Sequence, residues 1–299
     1  MTGLHFLLSY MCNSECDHCF LYCSPRAQGT FTLSQISKLL DEAEKIGTIE
    51  WIYFEGGEPF LFYPVMLEGI KMAGSMGFKV GVVTNAYFAI DEEDSEVWLK
   101  PLSELGVANL SISNDFLHYG EIKDNPARCA YNVAKKLNIN AVEISIEEPE
   151  VKVVVNEEQS KGEPVIGGTT MFRGRAVEKL TEGLPKRHRE EFTECPYEDL
   201  ESPKRVHIDS YGNIHICQGL VMGNVWETPL SELIKNYTTD SHPICSSLVR
   251  GGPALLAEEN ALEHEDEYID ACHFCYLTRL ALIDKFPQYL TPRQVYGLE

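Results

Sequence analysis

Cys12-Asn-Ser-Glu-Cys16-Asp-His-Cys19 places three cysteines at C-x3-C-x2-C spacing, just after the first apolar run, Leu4 to Ser9. Three thiolates can hold three of the four irons of a [4Fe–4S] cluster and leave the last iron open to an outside ligand. An ordinary electron-transfer cluster takes four cysteines. The open position follows the logic of a catalytic metal, which keeps one coordination site for substrate. A zinc knuckle or a redox thiol pair also uses cysteines, but neither calls for a triplet spaced three and then two residues apart.

Outward from this loop the first half of the chain reads as repeated strand–helix units. Thr32 to Gln35 is a capping box, and Leu33, Ile36, Leu39, Leu40, Ala43 and Ile46 follow at helical spacing up to Gly47. Trp51 to Phe54 is a strand that ends at Glu55-Gly56-Gly57-Glu58-Pro59, and Pro64 opens a helix that stops near Gly77. Lys79 to Thr84 is the third strand, ending at Asn85. The helix begun by Asp91 is disturbed by Pro101 and ended by Gly106. Asn109 to Ser113 is the fourth strand. Asn125-Pro126 caps a helix to about Leu137, and Ala141 to Ile146 is the fifth strand. Val151–Val155 and Pro164–Phe172 compete for a sixth, in a stretch made irregular by Pro149, Glu157, Glu158 and Gly167-Gly168.

Such alternation implies parallel strands with right-handed crossovers, and five or six units suit a partial (β/α)6 TIM-like barrel rather than a closed one. Cys12 to Cys19, Gly56 to Pro59, Asn85 and Ser113 to Asp115 all fall just past strand C-termini. That is the face on which barrels of this kind build their sites. After Lys186-Arg-His-Arg189 the pattern changes. Arg205–Asp209 and Asn213–Cys217 flank Ser210-Tyr-Gly212 as a β-hairpin. Helices are expected over Leu230–Tyr237, Pro253–Glu265 and Ala271–Lys285. The division falls near residue 190: a barrel over 1–190, then a small α+β domain of hairpin and helices over 191–299.

The 299 residues are 44% hydrophobic and 24% charged, the balance of a soluble globular chain. No apolar run reaches about 18 residues, and the first residues lack the basic and small-residue features of a signal peptide. The expected location is the cytoplasm. There, ten cysteines argue for metal or redox work rather than a disulfide framework. The net charge of −21 disfavours nucleic acid and anionic membrane as partners.

The triplet, its place after a strand and the Gly56-Gly57-Glu58-Pro59 segment one βα unit later resemble the radical S-adenosylmethionine (SAM) superfamily over roughly residues 4 to 180. The resemblance implies that Cys12, Cys16 and Cys19 hold the SAM-binding [4Fe–4S] cluster. It also implies that the Gly56–Pro59 turn holds the methionyl amino group. Ser113-Asn-Asp115 is similar to the family's S-x-D segment, which assigns Ser113 to the SAM ribose, with Asp115 beside it and Ser111 on the same face. Asn85 matches a strand-three T-N pair, or is a turn residue. His18 stands where the family has an aromatic residue packed on adenine. Arg173 and Arg175, in a G-R-A-like segment, pair with the SAM carboxylate or close the barrel.

Gly212-x4-Cys217, with Cys195 before it and Cys272-His-Phe-Cys275 after, resembles the Twitch or SPASM type of C-terminal extension. No cysteine follows Cys275, which suits the shorter Twitch type. The four thiols would fill one auxiliary [4Fe–4S] cluster; a structural zinc would accept the same set. Cys129 reads as a buried small hydrophobe, and Cys23 and Cys245 as packing residues or as hydrogen donors to a substrate radical.

The resemblance implies reductive cleavage of SAM to a 5′-deoxyadenosyl radical, then hydrogen abstraction from a peptide or protein side chain or from a small molecule. The outcome would be a two-electron oxidation or another peptide modification, as in maturases of ribosomal peptides and sulfatases or in small-molecule dehydrogenases. The alternative within the family is epimerisation with a cysteine hydrogen donor. A second class is a non-catalytic iron–sulfur or zinc protein that carries electrons or organises partners. With the first strand at the start of the sequence, no N-terminal peptide-recognition domain is expected. The reductant would be ferredoxin or flavodoxin, docking at Lys186-Arg187-His188-Arg189.

Overall fold

The computed structural model describes residues 1–154 and 163–298. In chain order its elements are β1 (Gly3–Ser9), α1 (Leu33–Ile46), β2 (Trp51–Gly56), α2 (Tyr63–Ser75), β3 (Lys79–Thr84), α3 (Glu92–Glu104) and β4 (Asn109–Ser113). There follow α4 (Phe116–Tyr119), α5 (Pro126–Lys136), β5 (Ala141–Ile144), β6 (Glu150–Val154), β7 (Glu163–Gly167) and α6 (Ala176–Lys179). The remainder comprises β8 (Arg187–His188), β9 (Arg205–Asp209), β10 (Asn213–Cys217), β11 (Leu220–Asn224), α7 (Leu230–Asn236), α8 (Cys245–Glu259), β12 (Glu267–Tyr268) and α9 (Ala271–Ala281).

One eight-stranded sheet runs β11-β10-β9-β1-β2-β3-β4-β5. Every neighbouring pair from β9 through β1 to β5 is parallel, and β10 and β11 continue antiparallel. This is the expected partial barrel, with its sixth parallel strand in an unexpected place. That strand is Arg205–Asp209, laid beside β1 with Gly3 opposite Arg205 and Leu7 opposite Asp209. Neither earlier candidate joins the sheet: Glu150–Val154 pairs antiparallel with Glu163–Gly167 as a separate ribbon. Val151, Val153 and Val165 stay exposed there. Of the irregular stretch, Val155, Glu157 and Glu158 lie outside the described residues.

Strand alternation sorts the two faces of the sheet. Leu4, Phe6, Leu8, Ile52, Phe54, Val80, Val82, Leu110, Ile112, Val206 and Ile208 pack with Ile36, Leu39, Met66, Ile70, Leu99, Leu102 and Ala130 of the helices in one core. Burying each large aliphatic or aromatic side chain there contributes about 1.5–3 kcal/mol. Helix α1 carries the expected capping box, and Gly47 ends it at φ 72°. Helix α3 continues through Pro101. Helices α7 and α9 stop short of the expected Tyr237 and Lys285, at Asn236 and Ala281, and α8 ends at Glu259 rather than Glu265. Helix α8 starts earlier, at Cys245, and kinks at Gly251-Gly252. A Cβ on Gly252 would overlap the backbone of Thr193 and Glu194, just before Cys195.

Between β1 and the hairpin lies a sealed carboxylate. Asp209 accepts from Tyr10 Oη at 2.9 Å, from the backbone N–H of Tyr211 at 3.0 Å and of Asn213 at 2.9 Å, and from Asn213 Nδ2 at 2.9 Å. His215 Nε2 sits 3.2 Å away, and His215 Nδ1 accepts from Gly219 N–H. Tyr10, Asp209 and His215 are all fully buried. Removing one member of such a network leaves the others unsatisfied, at about 3–5 kcal/mol. Asp209→Ala is therefore expected to lower the unfolding free energy in urea by about that amount, whereas Glu227→Ala on the exposed turn stays within about 0.5 kcal/mol of the parent.

Candidate functional site

The loop from β1 carries the cysteine triplet across the C-terminal mouth of the partial barrel, and three neighbouring strand ends hold it there. After β2, Gly57 N–H donates to Ser9 C=O at 2.7 Å and Glu58 N–H to Met11 C=O at 2.9 Å. A Cβ on Gly57 would overlap the Met11 carbonyl oxygen, and one on Gly56 (φ 127°) the Ser9 carbonyl oxygen. The close approach that these glycines permit is thus to the chain leading into Cys12. Pro59 opens a short turn whose first N–H, that of Phe60, donates to Glu58.

Glu58 is fully buried. Its Oε1 accepts from Thr84 Oγ1 at 2.8 Å and its Oε2 from Asn85 N–H at 2.7 Å, tying β2 to the end of β3. Burial pushes its carboxyl up to about 7, against these donors. Asn85 then reaches the triplet, with Nδ2 donating to Asn13 Oδ1 at 2.8 Å and lying 3.6 Å from Cys12 Sγ. Burial pushes the Cys12 thiol up to about 12, so that a bound metal is what would hold it as thiolate. Cys12 Sγ also accepts from Ser14 N–H, and Cys19 Sγ from Cys23 N–H. These amides would lie beside a cluster's sulfurs, an arrangement that fits a thiolate-bound group.

Past β4, Ser113 is half-buried, and Ser111 donates to Asn109 Oδ1 at 2.8 Å on the barrel's inner face. Asp115 is already engaged. Its Oδ1 accepts from His118 N–H and lies 2.8 Å from His118 Nδ1, and its Oδ2 accepts from Ile146 N–H. It caps α4, so its reach towards a ligand is taken up by the protein. His18 meets the His118 ring edge-on, with centroids 4.8 Å apart. Burial, then the neighbouring His118, lowers His18 to about 4, leaving a neutral ring at the mouth. For His118 burial acts downward, but Asp115 and Cys16 overcome it and raise the group to about 10.

The two arginines part company. Arg175 donates to the carbonyls of Cys16 at 2.8 Å and Cys23 at 2.9 Å, clamping the cysteine loop from below. Arg173 instead points at the second cysteine set, with Nη1 3.2 Å from Cys217 Sγ and its guanidinium over the Phe20 ring. Cys217 ends β10, Cys272 and Cys275 lie on α9, and Cys195 precedes the hairpin. Arg279, one turn beyond Cys275, is also fully buried and donates to Gln218 C=O. Burial disfavours both cations, yet the nearby Tyr296 and thiols raise Arg279, and thiols with Glu198 raise Arg173.

Cys23 is buried against Cys19, Cys245 is buried beside Tyr237, and Cys129 lies 3.4 Å from Ser95 Oγ in the helical layer. In the basic run, Lys186 pairs with Glu265, Arg187 with Glu191 and His188 with Glu190. The sequence reading missed Arg279 and the inward-facing His5, Glu55 and His207. Strands of a parallel sheet read as apolar runs, so a histidine or glutamate within three of them was the available signal.

Residues 6–119 match the family model of the radical SAM superfamily. The chain carries a radical SAM domain. The Bacillus subtilis (strain 168) protein YydG, provisionally named for peptide biosynthesis, is 25% identical over 253 residues, 84% of this chain and 72% of its own length. The tungsten-containing aldehyde ferredoxin oxidoreductase cofactor-modifying protein of Pyrococcus furiosus is 33% identical over 118 residues. That match takes in 39% of this chain and 32% of the relative. The crystal structure of BtrN in complex with AdoMet and 2-DOIA superposes with a TM-score of 0.52 at 16% identity, covering 79% of this chain and 82% of that one. It shares the fold of the radical SAM domain. No described helix is long and apolar enough to cross a membrane.

If the glycine turn seats the cysteine loop of the radical SAM domain, Gly57→Ala introduces about 1–3 kcal/mol of overpacking strain. A lower thermal midpoint together with poorer iron retention after reconstitution is expected. An unchanged midpoint and iron content would contradict the seating.

Proposed function

We propose that the protein is a radical SAM enzyme that abstracts hydrogen from a substrate held at the C-terminal mouth and inner face of the partial barrel. The observation that carries this reading is the Cys12 loop itself: a three-cysteine set held on one strand end by Glu58, Asn85 and Arg175. Cys12, Cys16 and Cys19 would hold the cluster. His18, Gly56, Gly57, Pro59, Asn85, Ser111 and Ser113 would surround SAM, with Asp115 and Arg175 as positioning residues. When bound, the cluster and SAM supply the one-electron chemistry that breaks the sulfonium C–S bond. The chain's own part is to orient the substrate and exclude water.

Cys195, Cys217, Cys272 and Cys275 would hold an auxiliary [4Fe–4S] cluster, the C-terminal part (191–299) serving the barrel part (1–190) as its carrier. The cluster-type triplet at Cys12, Cys16 and Cys19 in the same chain favours iron–sulfur over zinc for this second set. Arg173, 3.7 Å from Glu198, and Arg279 are buried with unpartnered Nε atoms and are suited to offset the negative charge that four thiolates leave on either group; buried cations are otherwise costly.

The peptide-biosynthesis name of YydG favours a peptide substrate over a small molecule. The burial of Cys23 and Cys245 supports packing over hydrogen donation, and so a two-electron oxidation over epimerisation. Ferredoxin or flavodoxin would supply the electron, with Lys186–Arg189 as the docking candidate.

Anaerobically reconstituted protein incubated with SAM and dithionite is expected to form 5′-deoxyadenosine, measured by liquid chromatography and mass spectrometry. Cys16→Ala should fall to background, while Cys272→Ala keeps the uncoupled cleavage. No product from iron-replete wild type would sink the enzyme reading.

A further inference from the structure

Three neighbouring strands bring an unassigned group of side chains together inside the barrel, apart from both cysteine sets. His5 of β1 and His207 of β9 are partners across the parallel ladder. Glu55 of β2, one layer nearer the mouth, turns in between them and immediately precedes Gly56. His5 Nδ1 lies 3.2 Å from Glu55 Oε2, and His207 Nε2 lies 3.0 Å from Glu55 Oε1. One donor atom from each residue falls within 4.8 Å of the other two.

Hydrogen bonding alone accounts poorly for this group. His5 Nδ1 is buried and without a hydrogen-bond partner despite its closeness to the carboxylate, because the pair is out of line. Buried polar atoms are rarely left so. Two lone-pair donors that are close but not aimed at each other are arranged like ligands of a common centre. With metal–ligand bonds of about 2.1 Å at angles between a right angle and the tetrahedral one, neighbouring donors stand about 3.0–3.4 Å apart; His5 Nδ1 to Oε2 and His207 Nε2 to Oε1 both have that spacing, which suits a carboxylate offering both oxygens to one centre. The rings are held in place: His5 stacks on Tyr53 at 4.6 Å and 15°, and tilts against His207 at 4.9 Å. Among the described residues no arginine or lysine pairs with the Glu55 carboxylate; nearby, Arg205 pairs with Glu198 and Lys79 with Glu50.

The geometry points to a divalent-cation site of the two-histidine, one-carboxylate kind, formed by His5, Glu55 and His207 and open to the barrel interior. Such a donor set suits zinc, ferrous iron or manganese, and three protein ligands leave positions for an outside oxygen. That outside ligand would be a carbonyl or carboxylate oxygen of the substrate. This last role rests on the radical SAM reading of the barrel interior; the cation site itself does not.

Mn2+ is the probe, because oxygen and nitrogen donors suit it and thiolates do not compete for it. Protein is reconstituted with iron and sulfide, kept oxidised, and titrated with Mn2+ by electron paramagnetic resonance, with spin-echo detection of nitrogen coupling. One bound Mn2+ per chain with histidine nitrogen coupling is expected. Glu55→Gln and His207→Ala should each weaken binding at least about 10-fold, and His207→Ala should reduce the nitrogen coupling. His5→Gln replaces His207→Ala if that variant does not fold. Mn2+ bound without nitrogen coupling, or equally by all folded variants, would mark diffuse binding to the acidic surface and overturn the site. Uncoupled SAM cleavage, measured on aliquots of the same samples after reduction with dithionite, reports separately on the enzyme reading.

Discussion

The Asp209 carboxylate is the point on which the two halves of the molecule depend. It ends the strand that completes the parallel sheet, and it accepts Tyr10 from the chain just before Cys12. It also accepts the turn amides that shape the hairpin ending in Cys217. A buried anion of this kind persists only when its lone pairs are filled. Here the donors come from both the cysteine loop and the hairpin, so satisfying one charge fixes the position of one relative to the other.

Around that fixed point the cationic side chains divide the remaining work. Arg175 takes two carbonyls of the first cysteine loop, and Arg173, two residues earlier, takes Cys217. Gly174 between them is at φ 62°, and a Cβ there would overlap the backbone of Cys19 and Phe20. A short segment thus touches both cysteine sets at once. Glu58 does the equivalent for the strand ends, joining β2, β3 and the loop from β1. The mouth of the barrel is held by specific hydrogen bonds to backbone as well as by packing, which suits a site whose open coordination position must face a set direction.

Much of this was legible in the sequence. Periodicity and caps placed β1 to β5 and α1, α2, α3 and α5 to within a few residues, because the helices are amphipathic with clear stops such as Gly47 or Gly106; the short α4 was not expected. Motifs just past strand ends identified the mouth. Arg205–Asp209 was legible as a hairpin strand but not as the sixth parallel strand, because its partner β1 lies some two hundred positions away and only the three-dimensional sheet brings it beside Gly3–Leu7. Asp115 and the two glycines were readable as candidate site residues, but their engagement by His118, Ile146 and the Ser9–Met11 backbone depends on contacts that no spacing encodes. Arg279 looked like an ordinary helical position until the fold buried it beside Cys275.

The proposal at the centre of this reading is two separate cluster sites in one chain, of which only the one at Cys12–Cys19 is open to SAM. Electron paramagnetic resonance of the dithionite-reduced protein, recorded with and without SAM, tests it most directly. Two cluster signals are predicted, one of which shifts when SAM is added and is lost in Cys16→Ala. A single signal that is indifferent to SAM would contradict the account.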